Sequence, residues 1–172
     1  MLGRRPDEAF EIMKRLLHID ESIDALQNET REIFATLIDE HLGTMHGLYE
    51  LLDLIEVAVL PKAVATSSPR EYMTALMSRF ELLHRFPVSL AAEDVTAGKP
   101  EPEIYLKAAR LLAIEPANMV VLEDSEAGTR AAAAAGAIAI SVPNRHTKVQ
   151  DFSMATRVVE SLADERLLEL IR

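Results

Sequence analysis

Short apolar runs alternate with amphipathic segments from residue 61 to the end of this 172-residue chain. The runs predicted to be strands cover residues 63–65, 88–92, 119–122, 137–142 and 157–160. Helices are predicted between them, one over residues 101–113 and another ending at Gly136, with a closing helix over residues 163–172. Strands that alternate with helices form a parallel sheet, because each helix returns the chain to the edge where the next strand starts. The predicted fold class is α/β, with a Rossmann-like parallel sheet flanked by helices.

The first third of the chain has a different pattern. Residues 1–58 show only helical spacing of apolar side chains, such as Phe10, Met13 and Leu17, and no segment alternates at period two. We therefore predict two domains: a small helical cap domain over residues 1–58 and an α/β core domain over residues 59–172.

Composition excludes several classes of protein. A net charge of −10 at pH 7 argues against a nucleic-acid partner, because phosphate backbones bind clustered lysine and arginine. The longest apolar run, residues 131–142, is far shorter than the roughly 20 residues of a membrane span. The absence of cysteine excludes disulfides and thiolate chemistry. We expect a cytoplasmic protein without a membrane or nucleic-acid partner.

Polar side chains follow the predicted strands. Thr66 and Ser67 follow the first strand, Lys99 lies in a proline-stiffened loop after the second, and Glu123 and Asp124 follow the third. The carboxyl ends of parallel strands meet at one edge, so these groups are expected to converge. Hydroxyls, backbone N–H groups and a lysine would hold a phosphate, and two carboxylates would suit Mg²⁺.

Each of these stretches also has an ordinary structural explanation. Thr66 and Ser67 are common residues at helix starts, a single loop lysine is usually solvated, and Glu123-Asp124 is compatible with a helix cap. The order of all three stretches, each after a strand, favours the phosphate and metal site.

Two of these stretches carry a resemblance to a known family. From about residue 60 to 142 the chain resembles the haloacid dehalogenase superfamily, in its phosphatase and phosphoglucomutase-like branch with a helical cap. The resemblance rests on Gly98-Lys99-Pro100-Glu101-Pro102 and on Glu123-Asp124-Ser125-Glu126-Ala127-Gly128, with Thr66 as a weaker match.

The resemblance implies specific roles for these residues. Asp124 would be the principal Mg²⁺ ligand, and Glu123 would assist directly or through water. Thr66, the Ser67 N–H and Lys99 would stabilise the transferring phosphoryl group. The resemblance also places Arg4 and Arg5 near the entrance of the cap, where they would contact a small phosphorylated substrate.

The chain departs from the family at its first motif. An apolar strand followed by Asp-x-Asp should precede the cap, and no Asp in the chain has that spacing. The full-length form is then expected to be a Mg²⁺-dependent phosphatase that acts on a small metabolite through an aspartyl-phosphate. The chain itself, a fragment or the product of a late start codon, is expected to be inactive alone. The alternative is a catalytically dead relative that binds a partner or a phosphorylated ligand.

The same departure has a structural consequence. In the family, the first strand is central and lies between the strand that ends at Thr66 and the strand that ends at Asp124. Without it, those two strand edges would face a gap or pair directly. An open apolar edge favours association, so a rearranged sheet or a homodimer that covers the edge is expected.

Overall fold

The computed structural model describes residues 6–171, except for the side chains of residues 35 and 37–41. The helices are α1 (Pro6–Leu17), α2 (Ile23–His41), α3 (Leu48–Val57), α4 (Arg70–Arg79), α5 (Glu103–Leu111), α6 (Glu126–Ala134) and α7 (Glu165–Leu168). The strands are β1 (Ala63–Ala65), β2 (Val88–Leu90), β3 (Val120–Glu123), β4 (Ile138–Ser141) and β5 (Arg157–Val158). Between residues 6 and 171, no helix combines the length and the apolar character that crossing a bilayer requires.

The predicted fold class is confirmed, since the strands all pair in parallel and a helix lies between each successive pair from β1 to β4. Strand ends differ from the prediction by a few residues. β3 extends to Glu123 because the Glu123 carbonyl accepts a hydrogen bond from the Val142 N–H at 2.6 Å. The closing helix is much shorter than predicted: Asp164 caps its start, and regular α-helix ends at Leu168.

The sheet consists of two parts in the described residues. β1 pairs with β2, and β3, β4 and β5 form a second group in that order. β1 and β3 therefore have not paired with each other, and each has a ladder partner on one side only within residues 6–171. Both parts contribute to one hydrophobic cluster, which contains Leu90 of β2 in the first part and Val121 and Ala139 in the second.

Small side chains let α6 approach the second part of the sheet. Ala131 and Ala132 are fully buried and belong to the same cluster as Val121 and Ala139. Ile104 and Tyr105 of α5 join this cluster from the preceding helix. The short helix α6 is thereby fixed with its first turn directly beyond the end of β3, which is where the candidate site begins.

The third helix packs with the sheet. Leu51 of α3 is 2% exposed and shares a second hydrophobic cluster with Ile140, Val142 and Leu167. In contrast, α1 contains no buried residue. The division of the chain at residue 58 stays a prediction, and this packing favours a boundary before α3.

The packing of α3 generates a stability prediction. Leu51→Ala should lower the free energy of unfolding by about 2–5 kcal/mol, because it opens a cavity in a closely packed cluster. The exposed Leu16 of α1 provides the matched control, and Leu16→Ala should change stability by less than about 0.5 kcal/mol. Urea unfolding followed by circular dichroism measures both. Equal and small effects would contradict the packing of α3 on the core.

Candidate functional site

Lys99 joins the ends of the two parts of the sheet. Its Nζ lies 3.1 Å from the carbonyl oxygen of Ala65, the last residue of β1. It also lies 2.5 Å from Oε1 of Glu123, the last residue of β3. Lys99 is only 5% exposed, and a buried ammonium group needs such partners to offset its lost hydration. These contacts use two of its three N–H donors.

The Glu123 carboxylate is buried and receives three hydrogen bonds. Lys99 and the Tyr105 hydroxyl both donate to Oε1, and the Ser125 hydroxyl donates to Oε2 at 3.1 Å. Burial raises the pKa of Tyr105 well above its ordinary value, and the negative charge of Glu123 raises it further. The tyrosine hydroxyl therefore stays protonated and acts as the donor. The carboxylate is held by a cation and two neutral donors.

Gly128 provides the space that Glu123 occupies. Ser125 caps α6, and its hydroxyl oxygen accepts a hydrogen bond from the Gly128 N–H at 3.1 Å. A Cβ atom on residue 128 would lie 1.9–2.2 Å from the Glu123 carboxylate atoms. Such distances are far inside van der Waals contact, so this helical position is restricted to glycine for as long as Glu123 keeps its place.

Asp124 has a different environment from its neighbour. The residue is exposed, and its Oδ2 accepts a hydrogen bond from the Asn144 side-chain amide at 2.8 Å. The Asn144 Oδ1 accepts hydrogen bonds from the backbone N–H groups of His146 and Thr147, which fixes the orientation of the amide. The loop after β4 therefore positions the Asp124 carboxylate.

The pKa of Asp124 is raised above its ordinary value. Partial loss of hydration at the carboxylate is the main cause, and the negative charge of Glu123 adds to it. Lys99 and the Asn144 amide act in the opposite direction without cancelling the rise. A bound cation would favour the charged form of Asp124, because it would offset both causes.

Thr66 and Ser67 lie at the end of β1, next to the carbonyl that Lys99 contacts. The Thr66 hydroxyl accepts a hydrogen bond from the Ser68 N–H at 3.1 Å and closes a local turn. The start of α4 already contacts an anionic group, since the Arg70 N–H lies 3.0 and 3.1 Å from the two carboxylate oxygens of Glu93. This part of the predicted phosphate site therefore consists of the turn itself rather than of the first turn of α4.

The structure brings most of the predicted site residues together. Lys99 contacts Glu123 and the residue before Thr66, and Asp124 follows Glu123 directly. Arg4 and Arg5 lie outside the described residues. Asp124 could hold a divalent cation, and Glu123 would have to exchange one of its present donors to join it. Within residues 6–171 there is no group of three or more histidine, cysteine, aspartate or glutamate side chains arranged for a metal ion.

Two contributors to the site were not predicted from the sequence. Tyr105 lies inside the helix predicted over residues 101–113, and the sequence gives no signal for the partner of its hydroxyl. Asn144 lies two residues after the strand predicted over residues 137–142. The rule that found the other polar residues, namely their place just after a strand, applies to Asn144 as well and would have found it.

Comparison with known proteins identifies the family. The profile of the haloacid dehalogenase-like hydrolase family matches residues 1–142. The chain belongs to this family, and the resemblance inferred from the sequence is confirmed.

Among curated relatives, the chain is 30% identical over 168 residues to a bifunctional riboflavin kinase/FMN phosphatase of Arabidopsis thaliana, covering 97% of this chain and 44% of the relative. It is 31% identical over 136 residues to a phosphorylated carbohydrates phosphatase of Thermotoga maritima, covering 79% of this chain and 63% of the relative. Among solved structures, CbbY from Rhodobacter sphaeroides in complex with phosphate is 32% identical with a TM-score of 0.75. That match covers 85% of this chain and 67% of CbbY. The chain thus spans less than two thirds of these two curated relatives.

The raised pKa of Asp124 generates a pH-dependent stability prediction. Between the ordinary value of 3.8 and the higher folded-state pKa, the folded protein binds more protons than the unfolded chain. Stability due to this group therefore falls as the pH rises through that window, and the cost persists at neutral pH. Asp124→Asn should raise the Tm at pH 7 in the presence of EDTA, and the gain should shrink toward pH 3.8.

Asp151 is the matched control because its pKa is lowered, chiefly by hydrogen bonds from Ser153. Its charged form stabilises the folded state above the ordinary pKa, so Asp151→Asn should lower the Tm at pH 7. Thermal unfolding followed by circular dichroism measures both variants over a series of pH values. A loss of stability in Asp124→Asn at pH 7 would contradict the assigned electrostatics.

Proposed function

We propose that this chain carries the phosphate and cation site of a Mg²⁺-dependent phosphatase that acts on a small phosphorylated metabolite. The single observation that carries the proposal is the buried Lys99 ammonium group, held between the end of β1 and the Glu123 carboxylate at the end of β3. The family membership and the phosphatases among the relatives support the same reaction class.

In this proposal, Lys99 binds the phosphoryl group. Two of its N–H donors contact protein oxygens, and the third donates to an oxygen of the substrate phosphate. The Thr66 hydroxyl oxygen accepts from Ser68, so its own hydrogen is left to donate to a second phosphate oxygen. The Ser67 N–H is the third proposed donor. All of these groups belong to the carboxyl edge of the sheet or to the loops that follow it, where phosphates bind in parallel α/β folds.

Asp124 is the proposed principal ligand of Mg²⁺, and Glu123 assists directly or through water. Mg²⁺ binds few protein carboxylates and completes its shell with water and phosphate oxygens, so an incomplete protein ligand set is compatible with it. When bound, Mg²⁺ would withdraw charge from the phosphate oxygens. Asn144 keeps the Asp124 carboxylate in one orientation before the cation arrives.

This chain is proposed to be inactive by itself. No Asp in the sequence has the Asp-x-Asp spacing after an apolar strand that would supply a nucleophile and an acid/base group. The alternative proposal is a catalytically inactive relative that binds a phosphorylated ligand or a partner. It is favoured by the fact that Lys99, Glu123 and Tyr105 form their contacts without any such nucleophile. A cytoplasmic location is part of both proposals, and the lack of cysteine is compatible with it.

Binding of inorganic phosphate tests the proposed site directly. We expect ³¹P NMR and calorimetric titrations to show phosphate binding that strengthens in the presence of Mg²⁺. Lys99→Met should weaken phosphate binding at least about tenfold, because a charge-assisted donor is lost. Asp124→Asn should abolish the effect of Mg²⁺ and leave the binding measured without Mg²⁺ largely intact.

Lys107→Met is the control for loss of a positive charge, because Lys107 lies on α5 and contacts Asp94 rather than the site. Hydrolysis of p-nitrophenyl phosphate by the same samples should be negligible, since loss of a nucleophile costs several powers of ten. Robust turnover would refute the proposed inactivity, and phosphate binding that is indifferent to Lys99 would refute the site.

A homodimer is proposed from the two parts of the sheet. β1 and β3 each lack a second ladder partner within residues 6–171, and unpaired parallel strand edges attract further strands. Multi-angle light scattering on the purified chain should give a mass near twice 19.1 kDa. A mass near 19.1 kDa at all concentrations would exclude the dimer.

A further inference from the structure

We propose that Tyr105 is a positioning residue for the phosphate site, which keeps Lys99 available to the phosphoryl group by sharing the Glu123 carboxylate with it. The inference rests on the proposed function, because it concerns the lysine that would bind phosphate. Tyr105, on the buried face of α5, is then a third member of the site beside Lys99 and Glu123.

Tyr105 contacts both members of the ion pair. Its hydroxyl donates to Oε1 of Glu123, the same oxygen atom that accepts from Lys99. The centre of its ring lies 5.0 Å from the Lys99 Nζ, within the range of a cation–π interaction. Tyr105 is 4% exposed, so both contacts lie in a poorly hydrated environment where they are stronger than at the surface.

The shared oxygen atom is the reason for a functional role. Without Tyr105, Lys99 would be the single donor to the Oε1 atom of Glu123, and the negative charge on that atom would act on Lys99 alone. The tyrosine hydroxyl supplies a second donor to the same oxygen, so part of that charge is balanced by a neutral group. The Lys99 ammonium then keeps more of its positive charge for an external anion, while the ring limits where the ammonium can move.

A purely structural explanation makes a different prediction. A buried tyrosine usually finds a partner for its hydroxyl merely to avoid leaving it unsatisfied. In that case, Tyr105→Phe would change stability and leave phosphate affinity unaltered. If Tyr105 positions Lys99, the same variant changes phosphate affinity in the folded protein, and it also changes the environment of the Lys99 ammonium group.

The experiment compares Tyr105→Phe, which keeps the ring, with Tyr105→Leu, which loses the ring and the hydroxyl. Inorganic phosphate is titrated calorimetrically at a temperature where every variant is folded by circular dichroism. We expect Tyr105→Phe to weaken phosphate binding by roughly tenfold, as suits the loss of one hydrogen bond to a charged group. Tyr105→Leu should weaken phosphate binding further. The loss in Tyr105→Phe then measures the effect of the hydroxyl, and the additional loss in Tyr105→Leu measures the effect of the ring.

The Lys99 Cε and Nζ resonances, observed with ¹³C,¹⁵N-labelled lysine, provide the readout that does not depend on phosphate. Tyr105→Phe should shift them. The control is Tyr49→Phe, which removes a hydroxyl that donates to the Phe80 carbonyl, and it should leave both resonances and phosphate affinity unchanged.

The outcomes distinguish this inference from the proposed function. If the wild-type chain and Tyr105→Phe bind phosphate with equal affinity, the inference is overturned and the proposed function stands. No phosphate binding by the wild type overturns the proposed function, and the role of Tyr105 is then decided by the Lys99 resonances. Resonances that are unchanged in Tyr105→Phe overturn the inference in either case.

Discussion

The buried contact between Lys99 and Glu123 is the interaction on which the arrangement of the site depends. It spans two groups of strands that have no ladder hydrogen bonds between them within residues 6–171. Lys99 is also bonded to the Ala65 carbonyl, so one ammonium group links the end of β1 to the end of β3. Hydrophobic packing through α5 and α6 holds the two parts together in bulk. The ion pair fixes the relative position of their carboxyl ends, which hydrophobic packing does not specify because it is nondirectional.

Such a pair is a weak source of stability by itself. Removing two charges from water costs several kcal/mol per ion, and well-packed apolar residues of similar size are often as stable or more so. The surroundings of Glu123 show how the cost is reduced: two hydroxyl groups join the lysine as donors, and a glycine leaves room for the carboxylate. Several donors around one buried carboxylate are understandable if the ion pair serves a site. Aliphatic side chains could link the two parts of the sheet without the free-energy cost of desolvating two charges.

The sequence allowed the fold class, the strand order along the chain and the convergence of the polar loops to be predicted. These features depend on local periodicity and on the rule that parallel strands end at one edge, and both follow from residue types and their spacing. The role of Tyr105 does not follow from the sequence. Its position in α5 indicates burial but not the carboxylate to which its hydroxyl donates. The packing of Leu51 with Ile140 of β4 is not predictable for a related reason. A helical stripe shows which face is buried and does not identify the element against which that face packs.

The contrast between the two neighbouring carboxylates explains how one dipeptide can serve two purposes. Glu123 is turned into the protein, where Lys99 balances its charge. Asp124 is turned outward, and Asn144 from the loop after β4 is its only side-chain donor in the described part of the chain. Its pKa is raised because it is partly desolvated beside the charge of Glu123. The alternation of side chains along an extended backbone separates the two directions, so the end of β3 turns one carboxylate toward a lysine and leaves the other exposed, where the proposed cation would bind. In the proposed function, a cation that binds Asp124 would relieve the repulsion between the two carboxylates, and that relief would contribute to the affinity for the cation.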